Sequence, residues 1–119
     1  MIEKLKDLAN EDLHLIHRGR FVNTIFLLQA GGDQWLVEIL AGRIANLTKG
    51  PFVMPRWTFA LRASAEAWEI FWSANPPPGF HDLFALIKFK RLTVEGDMHS
   101  FMANLFYFKA LLTKLRRTV

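Results

Sequence analysis

Two short acid–base pairs are the side chains whose types and spacing come nearest to chemistry. They are His81-Asp82 in a proline-rich stretch, and Asp97 with His99 at the head of an apolar run. An imidazole titrates near neutral pH, and an adjacent carboxylate can hold its charged form, which is the minimum for general acid–base work. Each pair also has a plainer reading. Asp82 and Asp97 both precede a helical pattern, where a carboxylate caps free N–H groups. His81 is then a loop residue. His14 and His17 are three apart and share a helix face, but no third ligand lies near them in sequence. Ser64 and Ser73 lack a nucleophile-elbow context, and Ser64 reads better as a cap. Gly31-Gly32 reads as a hairpin turn rather than a phosphate loop, because no helix follows it. With no cysteine in the chain, disulfides, thiol catalysis and cysteine metal sites are excluded. A catalytic reading therefore rests on His81 or His99 as acid or base, with no metal and no cofactor expected.

The elements that must position these groups follow from periodicity. Ile2, Leu5, Leu8, Ala9, Leu13 and Ile16 recur at helical spacing, with a restart at Asn10 and a stop at Gly19. Phe21 to Gln29 alternates as a strand, with Val22, Thr24, Phe26 and Leu28 on one side. Gly31-Gly32-Asp33 turns the chain into a strand over 34–40, and Ala41-Gly42 turns it again into Arg43 to Leu47. Consecutive strands joined by tight glycine turns make an antiparallel meander. After the irregular stretch Gly50 to Pro55, Trp57 to Arg62 is a fourth strand. Ser64 then opens a helix carrying Trp68, Phe71 and Trp72. Phe80 to Phe89 is a second short helix, and Leu92 and Val94 mark a fifth strand.

That strand stops at Gly96-Asp97. Gly96 can take a sharp turn for lack of a Cβ, and Asp97 can cap the helix that begins at once. At 100° per residue, Met98, Phe101, Met102, Leu105, Phe108, Leu112 and Leu115 form one stripe, widened by Ala103, Phe106 and Ala110. This predicts one long final helix whose apolar face packs on a sheet. The fold class is α+β: a five-stranded, mostly antiparallel sheet with helices packed on one face.

At 119 residues the whole chain, 1–119, reads as a single domain. A hydrophobic fraction of 51%, with eleven Phe and four Trp, is high for so small a domain, yet no run approaches the ~20 apolar residues of a membrane span. Met1 to Asp7 has mixed charges and no apolar core, so no secretory signal is read there, and the expected location is cytoplasmic. The net charge is +4, with Lys88, Lys90 and Arg91 in one group and Lys109, Lys114, Arg116 and Arg117 in another. Such groups suit an anionic membrane surface or an ordinary solvated face. No nucleic-acid motif accompanies them, so no nucleic-acid partner is expected.

Three stretches together resemble the sterol carrier protein type 2 family of lipid-binding domains. They are Thr58 to Ser64 with Trp68 and Phe71, Asn75-Pro76, and Leu92 to Met98 continuing to Met102 and Leu105. The resemblance covers residues 20 to 115. Two departures stand out: Lys90 where the family usually has a glycine, and Pro77 to Asp82, which looks like an insertion. The resemblance implies an apolar tunnel between sheet and helices that holds a fatty acyl chain, sterol or similar lipid. The elements it implicates supply Trp68, Phe71, Trp72, Phe84, Ile87, Phe101, Leu105 and Phe108 as lining residues. Two other readings stay open beside non-catalytic lipid carriage. One is an interaction domain that uses aromatic surface for a homodimer or partner contact. The other is a small enzyme on an apolar substrate.

Overall fold

The computed structural model describes residues 2–116; Met1 and residues 117–119, Arg117 of the basic group among them, lie outside the described residues. A 3-10 turn at Ile2–Lys4 leads into α1 (Leu5–Asn10) and α2 (Leu13–Arg18). Then come β1 (Thr24–Ala30), β2 (Asp33–Leu40), β3 (Arg43–Lys49) and β4 (Phe59–Ala63). The chain continues through α3 (Ala65–Phe71), α4 (Leu83–Lys88), β5 (Leu92–Gly96), α5 (Met98–Ala103) and α6 (Leu105–Thr113). The fold is α+β, and the sheet is open and five-stranded in the order β3-β2-β1-β4-β5.

Every neighbouring pair is antiparallel except β1 and β4, which run parallel. The cause is the connection between β3 and β4. β3 ends at Lys49 opposite Trp35, level with Leu28 of β1, whereas β4 begins at Phe59 opposite Phe26 and runs on past that level to Ala63 opposite Ala30. Residues 50–58 must therefore carry the chain back toward the start of β1 before β4 begins. Hydrogen bonds tie the ends of this connection, Gly50 N–H to the Gln34 carbonyl and Thr58 N–H to the Ile25 carbonyl.

Register decides which side chains meet. Phe26 lies beside Val37 and Phe59, and Leu28 beside Trp35 and Leu61, all on the helix-facing side. These residues join Leu5, Leu15, Trp68, Phe71, Phe101, Phe108 and Leu112 in one core cluster. Leu27 faces the other way, between Leu36 and Ala60. Leu27 and Ala60 are nevertheless buried, and the 50–58 connection runs over that face, where the Trp57 ring lies 5.8 Å from the Arg62 guanidinium.

The ends of several elements differ from expectation, and local hydrogen bonds explain each difference. The first strand starts at Thr24 rather than Phe21, because Val22 N–H is held by the Gly19 carbonyl at the end of α2. α4 starts at Leu83 rather than Phe80, because the Asp82 carboxylate caps it at Phe84 N–H, 2.8 Å. The final helix is not continuous. It breaks at Asn104, whose φ of −121° and ψ of 29° separate α5 from α6. The break changes the predicted stripe. Phe101, Phe108 and Leu112 face the sheet, while Met98 and Met102 are turned out, 44% and 42% exposed. Phe106, expected to widen the stripe, is 73% exposed, and the buried side chain is its neighbour Tyr107.

Two backbone positions stand apart from the regular elements. α4 ends with Arg91 N–H on the Leu86 carbonyl and Lys90 N–H on that of Ile87, a Schellman ending. Its left-handed residue is Lys90, at φ 61°, where glycine is the usual occupant and a side chain costs about 1 kcal/mol. At the head of α5, Gly96 has φ 89°, and a Cβ there would stand 2.6 Å from the Thr58 carbonyl oxygen.

Gly96→Val is therefore expected to destabilise the domain by about 2–4 kcal/mol, from backbone strain and collision together; an unchanged midpoint in denaturant would refute this. A second prediction concerns Tyr107. Its hydroxyl donates to the Gly42 carbonyl at 2.8 Å, and burial pushes the phenol pKa up from its ordinary value. The unfolded chain thus ionises first, near pH 10, so stability is whole below that pH and falls as pH rises toward the folded value. Tyr107→Phe should lower stability at pH 8 by about 1–2 kcal/mol and make the alkaline loss shallower. Equal alkaline slopes for the two proteins would contradict the assignment.

Candidate functional site

Ser64 starts α3 by accepting Ala67 N–H on its hydroxyl, and the helix then presents Trp68, Phe71 and Trp72 to the sheet. Both indoles are anchored. Trp68 Nε1–H donates to the Gln29 carbonyl at 2.8 Å, and Trp72 Nε1–H to the Leu112 carbonyl at 2.9 Å. The two rings stack with centroids 5.2 Å apart. A second aromatic group lies beside them. Phe26 and Phe59 stack at 5.3 Å, Phe108 meets both edge-on, and Phe101 lies 5.4 Å from Phe59 and 5.8 Å from Phe108. These spacings are those of favourable aromatic pairs.

Of the residues expected from the sequence, Trp68, Phe71, Trp72, Phe101 and Phe108 thus come together in one core. Leu105 and Ile87 pack at its margin. Phe84 does not join them; it is 47% exposed on α4. These rings lie in contact with one another between the sheet and the final helices.

The aromatic layer reaches the surface beside α3. A groove of about 240 Å³ is lined by Ile2, Ala30, Trp35, Ala65, Trp68 and Trp72, with Glu3, Asp33 and Glu69 also on its walls. The Nε1–H of Trp35 is buried without a hydrogen-bond partner. Sequence reading placed Trp35 in a strand and missed it as a site residue. Alternation along residues 34–40 puts Trp35 on one face with Val37 and Ile39, but carries no sign that its neighbours would leave the indole unpaired.

A second groove, of about 410 Å³, lies between α3 and the α4–β5 turn, lined by Ser64, Glu66, Ala67, Ile70, Phe80, Lys90 and Arg91. A third, of about 430 Å³, opens on the other sheet face between Ile25, Glu38 and Leu40 and the pair Arg56 and Trp57.

The acid–base pairs are placed as helix caps. Asp82 accepts from Phe84 N–H and from the Lys109 ammonium at 3.1 Å, while the exposed His81 offers its carbonyl to Arg116. Asp97 accepts from the Ser100 hydroxyl at 2.7 Å and from Ser100 N–H at 3.1 Å. Those hydrogen bonds, with minor help from His99, hold its carboxyl below the usual range. His99, His14 and His17 are exposed, and among the described residues no three His, Asp or Glu side chains gather as a metal site would require. No helix among them is long and apolar enough to cross a membrane.

No protein-family model matches the sequence, and no curated protein matches it significantly. Solved structures do match. A crystal structure of sterol carrier protein 2 superposes with a TM-score of 0.79 at 10% identity, covering 98% of this chain and 94% of that one. A Thermus thermophilus protein, described as possibly a sterol carrier protein, gives 0.73 at 11% identity over 95% and 81%. Palmitated sterol carrier protein 2-like 2 from Aedes aegypti gives 0.56 at 16% identity over 90% and 87%. The chain has the fold of the sterol carrier protein 2 domains.

Proposed function

We propose that the chain, acting as a single domain, binds and carries an apolar ligand without catalysis. The ligand class is a fatty acyl chain, a sterol or a similar lipid, held between the sheet and the helices. The observation that carries the reading is the aromatic layer that surfaces at the Trp35, Trp68 and Trp72 groove. The indole and alkyl side chains of that layer suit a ligand that is mostly hydrocarbon. The sterol carrier protein 2 fold supports it, one of its members being palmitated. The use of both aspartates as caps removes support from a catalytic role for His81 or His99.

The ligand takes its place by displacing side chains beneath α5 and α6, so Phe101, Leu105 and Phe108 are the residues that yield to it. Phe71 and Ile87 stay as wall, and Phe84 lies outside on α4. Loading and release take place at an anionic membrane surface through Lys88, Lys90 and Arg91, next to the exposed Phe89.

Titration with a fatty acid and with a sterol should change tryptophan fluorescence saturably, since Trp68 and Trp72 stand at the groove. Phe101→Trp and Leu105→Trp, which fill the space further, should weaken binding about tenfold or more while leaving the fold intact by circular dichroism. Absence of saturable binding by the parent would sink the carrier reading and bring forward that of an interaction domain, with a homodimer as its simplest form. Docking on vesicles should require anionic lipid and weaken with salt; equal binding to neutral and anionic vesicles at low salt would eliminate the basic group's part in it.

A further inference from the structure

The groove between α3 and the α4–β5 turn carries two features that the fold itself does not require. The first is Lys90. It occupies the left-handed position of a Schellman ending, where glycine would relieve the backbone. The second is Arg91. Its guanidinium lies 4.3 Å from the Phe80 ring centroid and 5.5 Å from that of Phe89, held between two aromatic faces and so fixed in direction. Among the described residues neither Lys90 nor Arg91 has a carboxylate within ion-pair reach. Glu66 lines the same groove without pairing to either. Ile70 and Phe80 give it an apolar wall.

An oriented guanidinium and a neighbouring lysine on one groove with an apolar wall are complementary to an oxyanion joined to hydrocarbon. A volume of about 410 Å³ holds a head group and the first carbons of a tail. We propose that this groove binds the anionic head, carboxylate or phosphate, of a single-chain amphiphile, with Lys90 and Arg91 on the head and Ile70 and Phe80 against the tail. The site is on the surface and does not depend on ligand binding in the aromatic interior.

The test titrates dodecanoate, below its micelle threshold, into the full chain and follows backbone amide signals. Saturable shifts are expected at Ile70, Phe80, Lys90 and Arg91, with none from monolaurin, which has the same tail and a neutral head. Lys90→Gly should raise the denaturant midpoint and yet weaken dodecanoate about tenfold; Arg91→Gln should weaken it at least as much. Parental affinity in Lys90→Gly, or an equal response to monolaurin, would overturn the proposal. Inorganic phosphate binding as tightly as dodecanoate would make this a free-anion site and overturn the amphiphile. Binding to phosphatidylglycerol vesicles without any response to monomeric dodecanoate would overturn it in favour of a bilayer surface. Shifts confined to Phe101 and Phe108 would overturn the groove while supporting the interior site. Groove shifts with those two signals unmoved would do the reverse.

Discussion

The placing of Tyr107 is the constraint on which the two halves of this fold depend. Its ring lies against Gly19 at the end of α2, so closely that no side chain fits there. Its hydroxyl donates to the carbonyl of Gly42 in the β2–β3 turn. Gly42 in turn is pressed on the end of α2, and a Cβ at that residue would stand 2.6 Å from the Ile16 carbonyl oxygen. One side chain of α6 thus joins the first helical pair to the sheet meander, and it needs two glycines to do so. A phenol buried this deeply must direct its proton to an acceptor, which fixes the rotation of α6 about its axis. With that rotation set, Phe108, Leu111 and Leu112 fall toward the sheet and Phe106 falls outward.

The same rotation marks the boundary of what could be read from sequence. The alternation in β1 sorted Phe26 and Leu28 onto one face and Leu27 onto the other, as the register has them, because a sheet repeats every second residue and a slip would turn Phe26 away from the helices. The caps at Ser64, Asp82 and Asp97 were legible for an equally local reason. α5 and α6 were not. Their sequence is apolar on almost every side, so periodicity could neither locate the break at Asn104 nor decide between Phe106 and Tyr107 for the core. The parallel pairing of β1 with β4 was hidden as well, since it follows from the path of residues 50–58 and not from any pattern within them.

The candidate ligand residues show a subtler limit. Trp68, Phe71, Trp72, Phe101 and Phe108 do come together, but an aromatic core and an aromatic ligand wall call for the same side chains at the same spacing. Sequence can bring such residues to one place without saying whether they enclose a ligand or each other. Lys90 behaved differently. It stood out against the family pattern as a lysine in place of glycine, and the structure gives that position the positive φ that glycine would relieve. A residue that conflicts with its own backbone carries more information about function than one that agrees with it.

Under the proposed function, the tethers on the final helices decide which of them gives way to a ligand. α6 is fixed at several points along its length. Tyr107 is bound to Gly42, the Leu112 carbonyl to Trp72, Lys109 to Asp82, and Lys114 beyond its end to Asp12. α5 is held differently. Its side-chain hydrogen bonds, between Asp97 and Ser100 and from Asn104 to the Ser100 carbonyl, stay within the helix and its caps. Its N-cap is anchored to the sheet, the Asp97 N–H donating to the Thr58 carbonyl. Phe101 is its one buried residue. Lifting α5 therefore breaks no polar contact with another helix, whereas lifting α6 breaks all of those just named. The packing around Phe101 is apolar and non-directional, so under the proposed function a hydrocarbon chain in the same space would replace it in kind. The break at Asn104 separates a lightly tethered helix from a multiply tethered one, and Phe101 of the lightly tethered one lies against Phe59.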